Sequence, residues 1–206
     1  MLKQLTEKLF VVEDFIFSDT CDFLIDEFSK DLKSVGSPGI FRGPVGDTNK
    51  SINNKTINKN ANTISGMNKI LNKSKNSHEN IAIDLFTSIC TNIEKTLSEI
   101  FKKDLALKSY FYSHMKTGGV NSLHVDNYFE DQSDDFSAIL YLSDSYEGGE
   151  INFPQIGIEL KPKPGTLLAF VGNKELEHEV KYVNSGDRVN IILFLNERRK
   201  HENQDY

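Results

Sequence analysis

The hydrophobic positions change period twice along the chain. Residues 9–17, Leu-Phe-Val-Val-Glu-Asp-Phe-Ile-Phe, are dense in β-branched and aromatic types and predict a strand. The apolar positions Cys21, Leu24, Ile25 and Phe28 then fall three and four apart, the spacing of one buried helix face, with Ser18 or Asp19 placed as its cap. From Ser34 to Asn76 the periodicity dissolves into Asn, Lys, Ser and Gly. Such a stretch cannot bury enough apolar surface to pack throughout, so residues 34–77 are expected to form a mobile loop. That loop is either a lid, with Ile40, Phe41, Ile52 and Ile57 docking over a substrate near Arg42, or a tolerated insertion.

Helical spacing resumes over residues 78–101, where Ile81, Leu85, Ile89, Ile93, Leu97, Ile100 and Phe101 mark one stripe. Beyond Leu105 the pattern becomes short apolar runs separated by Gly, Pro and Asp. Eight strands are predicted, at 107–115, 123–127, 136–143, 149–154, 157–162, 165–171, 178–183 and 188–196. Eight closely spaced strands predict a mainly β (α+β) fold, a double-stranded jelly roll (β-helix) or a related barrel, supported by N-terminal helices. At 206 residues one domain is expected, with 1–104 as the helical support, 105–197 as the jelly roll and 198–206 as a charged tail.

Composition narrows the partners. The formal charge of −6 and a pI near 5.4 argue against nucleic acid. Two cysteines without metal or redox spacing favour a reduced compartment. The first residues lack the apolar run of a signal peptide, and no run reaches membrane-spanning length, so a cytoplasmic protein is expected.

The candidate chemistry sits in the strand-rich half. His124 and Asp126 lie two apart, which on a strand puts both on one face with Val125 turned away. His178 follows 52 residues after the Asp, and Arg188 ten residues later, behind Gly186. Two imidazoles and one carboxylate can occupy one face of a ferrous ion and leave the other face open. A planar guanidinium can grip a carboxylate with two parallel hydrogen bonds and does not lose its charge. The four residues together suggest a non-haem Fe(II) site using 2-oxoglutarate.

The order of motifs strengthens this reading. His-x-Asp is followed by Tyr141-Leu142, by Gly148-Gly149-Glu150, by Pro162-x-x-Gly165, by a hydrophobic strand through Phe170, by His178-Glu179-Val180 and by Gly186-x-Arg188. Over about 105–197 this resembles the prolyl 4-hydroxylase-like branch of the Fe(II)/2-oxoglutarate-dependent dioxygenases. The resemblance implies that His124, Asp126 and His178 hold Fe(II) and that Arg188 binds the distal carboxylate of 2-oxoglutarate, with Tyr141 on the same group. It implies O₂ as the oxidant, ascorbate as a candidate reductant, and succinate and CO₂ as products. The intact Asp126 favours hydroxylation over halogenation. Relatives often carry a Tyr before the His-x-Asp motif; here Tyr112 or His114 takes that place. Phe170 is expected in the pocket floor, and Gly148-Gly149 in a turn.

The implied substrate is a prolyl or other side chain of a peptide or protein, or a free amino acid. A nucleobase dealkylase on the same scaffold is the first alternative, but such relatives carry a second Arg six residues after the first, where this chain has Phe194. A non-catalytic jelly-roll module is the second, set against four intact key residues. A cupin is the third, and the chain holds only five histidines, where cupins usually bring more.

Overall fold

The apolar strands of the C-terminal half form two antiparallel sheets that pack face to face, and two amphipathic helices cover the outer face of the larger one. This arrangement is seen in a computed structural model describing residues 1–34, 61–65, 77–126 and 136–198. The larger sheet runs β1 (Leu2–Gln4), β2 (Leu9–Val12), β10 (Leu167–Val171), β6 (Phe136–Tyr141), β12 (Val183–Glu197), β4 (Leu105–Lys116), β3 (Ala61–Ser65), with β7 (Tyr146–Gly148) also on β12. The smaller runs β5 (Asn121–His124), β11 (His178–Val180), β8 (Ile151–Phe153), β9 (Ile158–Leu160). The expected jelly roll is therefore present.

Strands of the larger sheet separate two cores by alternation. On one face Leu140, Leu167, Ala169, Ile191 and Leu193 meet Cys21, Leu24, Phe28, Ile89, Ile93 and Leu97 of α1 (Ser18–Ser34) and α2 (Ser77–Phe101). On the other, Ile139, Tyr141, Leu168 and Phe170 meet Ile151 and Phe153 of the smaller sheet. Both β6 and β10 are buried along their whole length, which is why they read as unbroken apolar runs.

Several expectations about the elements change. The strand placed at 9–17 ends at Val12: Asp14 takes a left-handed turn (φ 54°) and Phe15 donates to the Gly165 carbonyl instead. The strand placed at 188–196 starts at Val183, because β7 pairs with its first residues, Gly186 facing Tyr146. Within the polar stretch, Ala61–Ser65 is β3, paired antiparallel on the edge of β4 from Ala61–Met115 to Ser65–Phe111. Edge hydrogen bonds compensate there for the thin apolar content. The rest of that stretch, including Ile40, Phe41, Arg42, Ile52 and Ile57, lies outside the described residues, as does the tail beyond Arg198. Among the described residues no helix is long and apolar enough to cross a membrane.

Candidate metal centre

Strand pairing brings the two histidines together. His124 ends β5 and His178 begins β11, and the two are directly opposed partners in that antiparallel pair. Opposed residues project on the same face. Their ring centroids are 4.4 Å apart. The strand stops at His124, so strict alternation does not place Asp126; a bend does, and it delivers the carboxylate to the same spot. Asp126 Oδ1 lies 3.4 Å from His124 Nε2 and 3.8 Å from His178 Nε2. The three ligand atoms fall within 4.8 Å of one another.

Each imidazole is oriented from behind. His124 Nδ1 donates to the Ser122 carbonyl at 2.7 Å and His178 Nδ1 to the Leu176 carbonyl at 3.0 Å. A carbonyl only accepts, so Nδ1 carries a proton in each ring and each Nε2 is turned toward Asp126. Backbone carbonyls are common partners for the outer nitrogen of a metal-bound histidine. Phe170 and Phe153 pack on His178, with centroids 4.9 and 5.4 Å away, so the ring is walled by apolar surface.

Burial sets the electrostatics. It drives the His178 imidazole below its ordinary pKa. At His124 burial also pulls downward, but the hydrogen bond and charge of Asp126 outweigh it, and the pKa rises. For Asp126 burial pushes upward, yet the two imidazoles hold the carboxyl below the usual carboxylate range. A buried carboxylate with two imidazole Nε2 atoms turned toward it is a donor set that suits a divalent first-row cation once both nitrogens are deprotonated.

The second half of the site is built around Arg188, whose side chain is buried at 2% exposure. Its Nε donates to the Gly149 carbonyl at 3.0 Å, and one terminal nitrogen donates to the Tyr141 hydroxyl at 3.2 Å. The guanidinium lies 5.3 Å over the Tyr141 ring. Gly149 has φ +66°, and a Cβ there would press within 3.2 Å of the Arg188 stem and 3.1 Å of the Tyr146 ring. The Gly-Gly turn is therefore a seat for this arginine. No carboxylate lies within ion-pair distance of Arg188 among the described residues, so a buried cation is held by neutral acceptors alone. Its charge adds to the burial that holds the His178 imidazole below its ordinary pKa.

Tyr112 is a correction. It is opposed to Ile191, which belongs to the helix-facing core, and it stacks on Phe28 at 5.0 Å with its hydroxyl 3.5 Å from Ser29 Oγ. His114 has the same parity and lies 3.4 Å from Asp187. Neither faces Arg188. Met115 and Ser113 do, being opposed to Arg188 and Asn190.

Two site residues carried no clear sequence expectation. Tyr146 is buried beside Arg188, whose charge lowers the pKa of its hydroxyl, yet burial outweighs that and pushes it up to about 12. Asn190 lies two residues past Arg188 on the same face. A polar residue inside the apolar run Arg-Val-Asn-Ile-Ile was its signal.

Two imidazoles and a carboxylate gathered at one spot of a jelly roll, with a buried arginine in the same interior, form a cluster that could hold a divalent cation beside an anionic ligand. Residues 110–196 match the model of the 2OG-Fe(II) oxygenase superfamily. The prolyl-4-hydroxylase structure from Pseudomonas putida superposes with a TM-score of 0.65 at 16% identity, covering 94% of this chain and 95% of that one. The viral collagen prolyl hydroxylase from Paramecium Bursaria Chlorella virus-1, in its 2OG complex, gives 0.62 at 18% identity, covering 93% and 97%. Human prolyl 3-hydroxylase 2 is 37% identical over 66 residues, 30% of this chain but 9% of that protein's length. The structural likenesses establish the fold. The resemblance read from the motifs is thus borne out: the jelly-roll segment matches this superfamily, and prolyl hydroxylases share its architecture.

Proposed function

We propose that the chain is an Fe(II)- and 2-oxoglutarate-dependent dioxygenase that hydroxylates a side chain in a peptide or protein, with a prolyl residue as the first substrate to test. The observation that carries this reading is the pairing of two features in one site. Three ligand atoms lie within 4.8 Å of one another, and a buried guanidinium without a carboxylate partner among the described residues bonds the Tyr141 hydroxyl and lowers the pKa of one of the three, His178.

His124, Asp126 and His178 would hold the ferrous ion; their oriented Nε2 atoms and single negative charge fit it. Arg188, with Tyr141, would hold the distal carboxylate of 2-oxoglutarate. When bound, iron, cosubstrate and O₂ supply oxidative decarboxylation to succinate and CO₂ and the oxidation of a C–H bond. The protein's part is positional. The carbonyls of Ser122 and Leu176 fix the imidazoles, Gly149 and Tyr141 fix Arg188, and Phe153 and Phe170 keep the histidine wall dry.

Purified protein supplied with Fe(II), ascorbate, O₂ and 2-oxoglutarate should form succinate, with turnover rising on addition of a prolyl peptide. Free amino acids and alkylated oligonucleotides serve as competing panels. Stimulation by an oligonucleotide alone would overturn the substrate class. A protein that neither binds the metal nor forms succinate would overturn the enzyme reading itself.

A further inference from the structure

Asn190 is fully buried, and neither the oxygen nor the nitrogen of its amide has a hydrogen-bond partner among the described residues. It sits in β12 between Tyr141 on β6 and Ser113 on β4, both directly opposed to it, so all three project from one face. Two residues before it on that face is Arg188; two residues after is Ile192, level with Ile139 and Leu168 of the apolar floor. Asn190 therefore stands where the polar end of the site meets its hydrophobic wall.

A side-chain amide offers two donors and one acceptor oxygen. Leaving all of them unmet in a dry interior is costly, and an aliphatic residue of similar volume would be cheaper at this position. The cost is recovered when a ligand brings the missing partner. That partner must be an acceptor for the amide N–H and must lie near a guanidinium that lacks a counter-charge. A carboxylate oxygen satisfies both. The Tyr141 hydroxyl accepts from Arg188 and still has its own proton, which can go to the Asn190 oxygen or to the same ligand.

We propose that Asn190 is a further binding residue of this pocket, its amide donating to the carboxylate that Arg188 neutralises. The inference rests on the reading of Arg188 as a carboxylate partner and deepens it. The amide then contributes to selectivity for a dicarboxylate, since a ligand lacking the distal carboxylate leaves both Arg188 and Asn190 unmet.

The test compares wild type with the near-isosteric Asn190→Leu, using 2-oxoglutarate as probe on Mn(II)-loaded protein so that no turnover occurs. Two quantities are read: the dissociation constant, and the melting temperature with and without probe. Loss of a hydrogen bond to a charged group should weaken 2-oxoglutarate about ten- to a hundredfold. The ligand-free variant should melt at or above wild type, because two unmet polar atoms are gone. A purely structural asparagine would give the reverse, a lower ligand-free melting temperature with unchanged binding, and that result overturns the proposal. Asn190→Ala supplies the same comparison if the leucine variant does not fold. If wild type binds but neither variant differs, the contact is wrong and the Arg188 reading survives. If wild type itself does not bind 2-oxoglutarate, both fall.

Discussion

Replacing Arg188 by Met keeps the buried aliphatic stem and removes only the charge and the donors. Two of the five N–H groups of a guanidinium are used by Gly149 and Tyr141, and three remain for a ligand. Withdrawing one partner from a buried, hydrogen-bonded ion pair costs about 3–5 kcal/mol. At about 1.4 kcal/mol per decade, 2-oxoglutarate binding should weaken by about two to four powers of ten. The ligand-free fold should respond in a different sense. Removing a buried cation with no counter-charge is favourable, while the orphaned Gly149 carbonyl and Tyr141 hydroxyl cost about 1–3 kcal/mol each. These oppose one another, so ligand-free stability should shift far less than binding. Calorimetric titration of Mn(II)-loaded protein and thermal unfolding without ligand separate the two effects. Arg188→Lys should recover part of the affinity, since an ammonium supplies the charge without the bidentate fork. Unchanged 2-oxoglutarate affinity in Arg188→Met would refute the assignment. So would an unfolded variant whose lysine counterpart also fails to fold, which would make Arg188 a structural residue.

Other consequences follow from the same geometry. His124→Ala, Asp126→Ala and His178→Ala should each lose Mn(II) or Fe(II) binding, measured by metal content after dialysis, while far-UV circular dichroism stays that of wild type. Tyr112→Phe removes a hydroxyl on the helix-facing side, so the Michaelis constant for 2-oxoglutarate should change less than about twofold, within the range of an ordinary non-contacting substitution. Burial raises Cys21 and Cys90 from 9.0 to about 11 and about 12. The native thiols keep protons that the unfolded chain releases, so their contribution to stability is full below about pH 9 and is lost as pH rises from there towards 12; denaturant midpoints should fall across that window. Both thiols should also resist labelling at neutral pH until the protein unfolds, and rapid native-state labelling would show the burial to be wrong.

The helices and the main strands were legible because each obeys one period. The α2 stripe runs over Ile89, Ile93 and Leu97, all buried, and the continuous run of β10 announces a strand covered on both faces. The short β7 was not legible: Tyr-Glu-Gly has no alternation to detect, and its pairing comes from the returning chain of β12. Nor was β3, since Ala-Asn-Thr-Ile-Ser gains its order from an edge of β4 that the local composition does not contain.

The site was legible to the extent that chemistry sat in spaced motifs. Tyr112 shows where that ended. Loop length before His124 does not fix which residues of β4 face the interior; the register with β12 does, and it opposes Met115, not His114 or Tyr112, to Arg188. A shift of one residue exchanges the two faces of a strand, so a choice between neighbours made by residue type alone is a choice of face made blind. The same logic explains why the histidine pair is dependable. His124 and His178 are opposed partners, and the irregularity in that ladder falls after His178, between it and Val180. The bulge absorbs the register change on the far side of the ligand and leaves the pair itself aligned. A slip of one residue in β11 would turn His178 away and present Glu177 or Glu179 in its place. Strand register and site geometry are thus one specification: the alignment that buries Val180 is the one in which the three candidate ligand atoms meet, so an ion bound there would favour the same register.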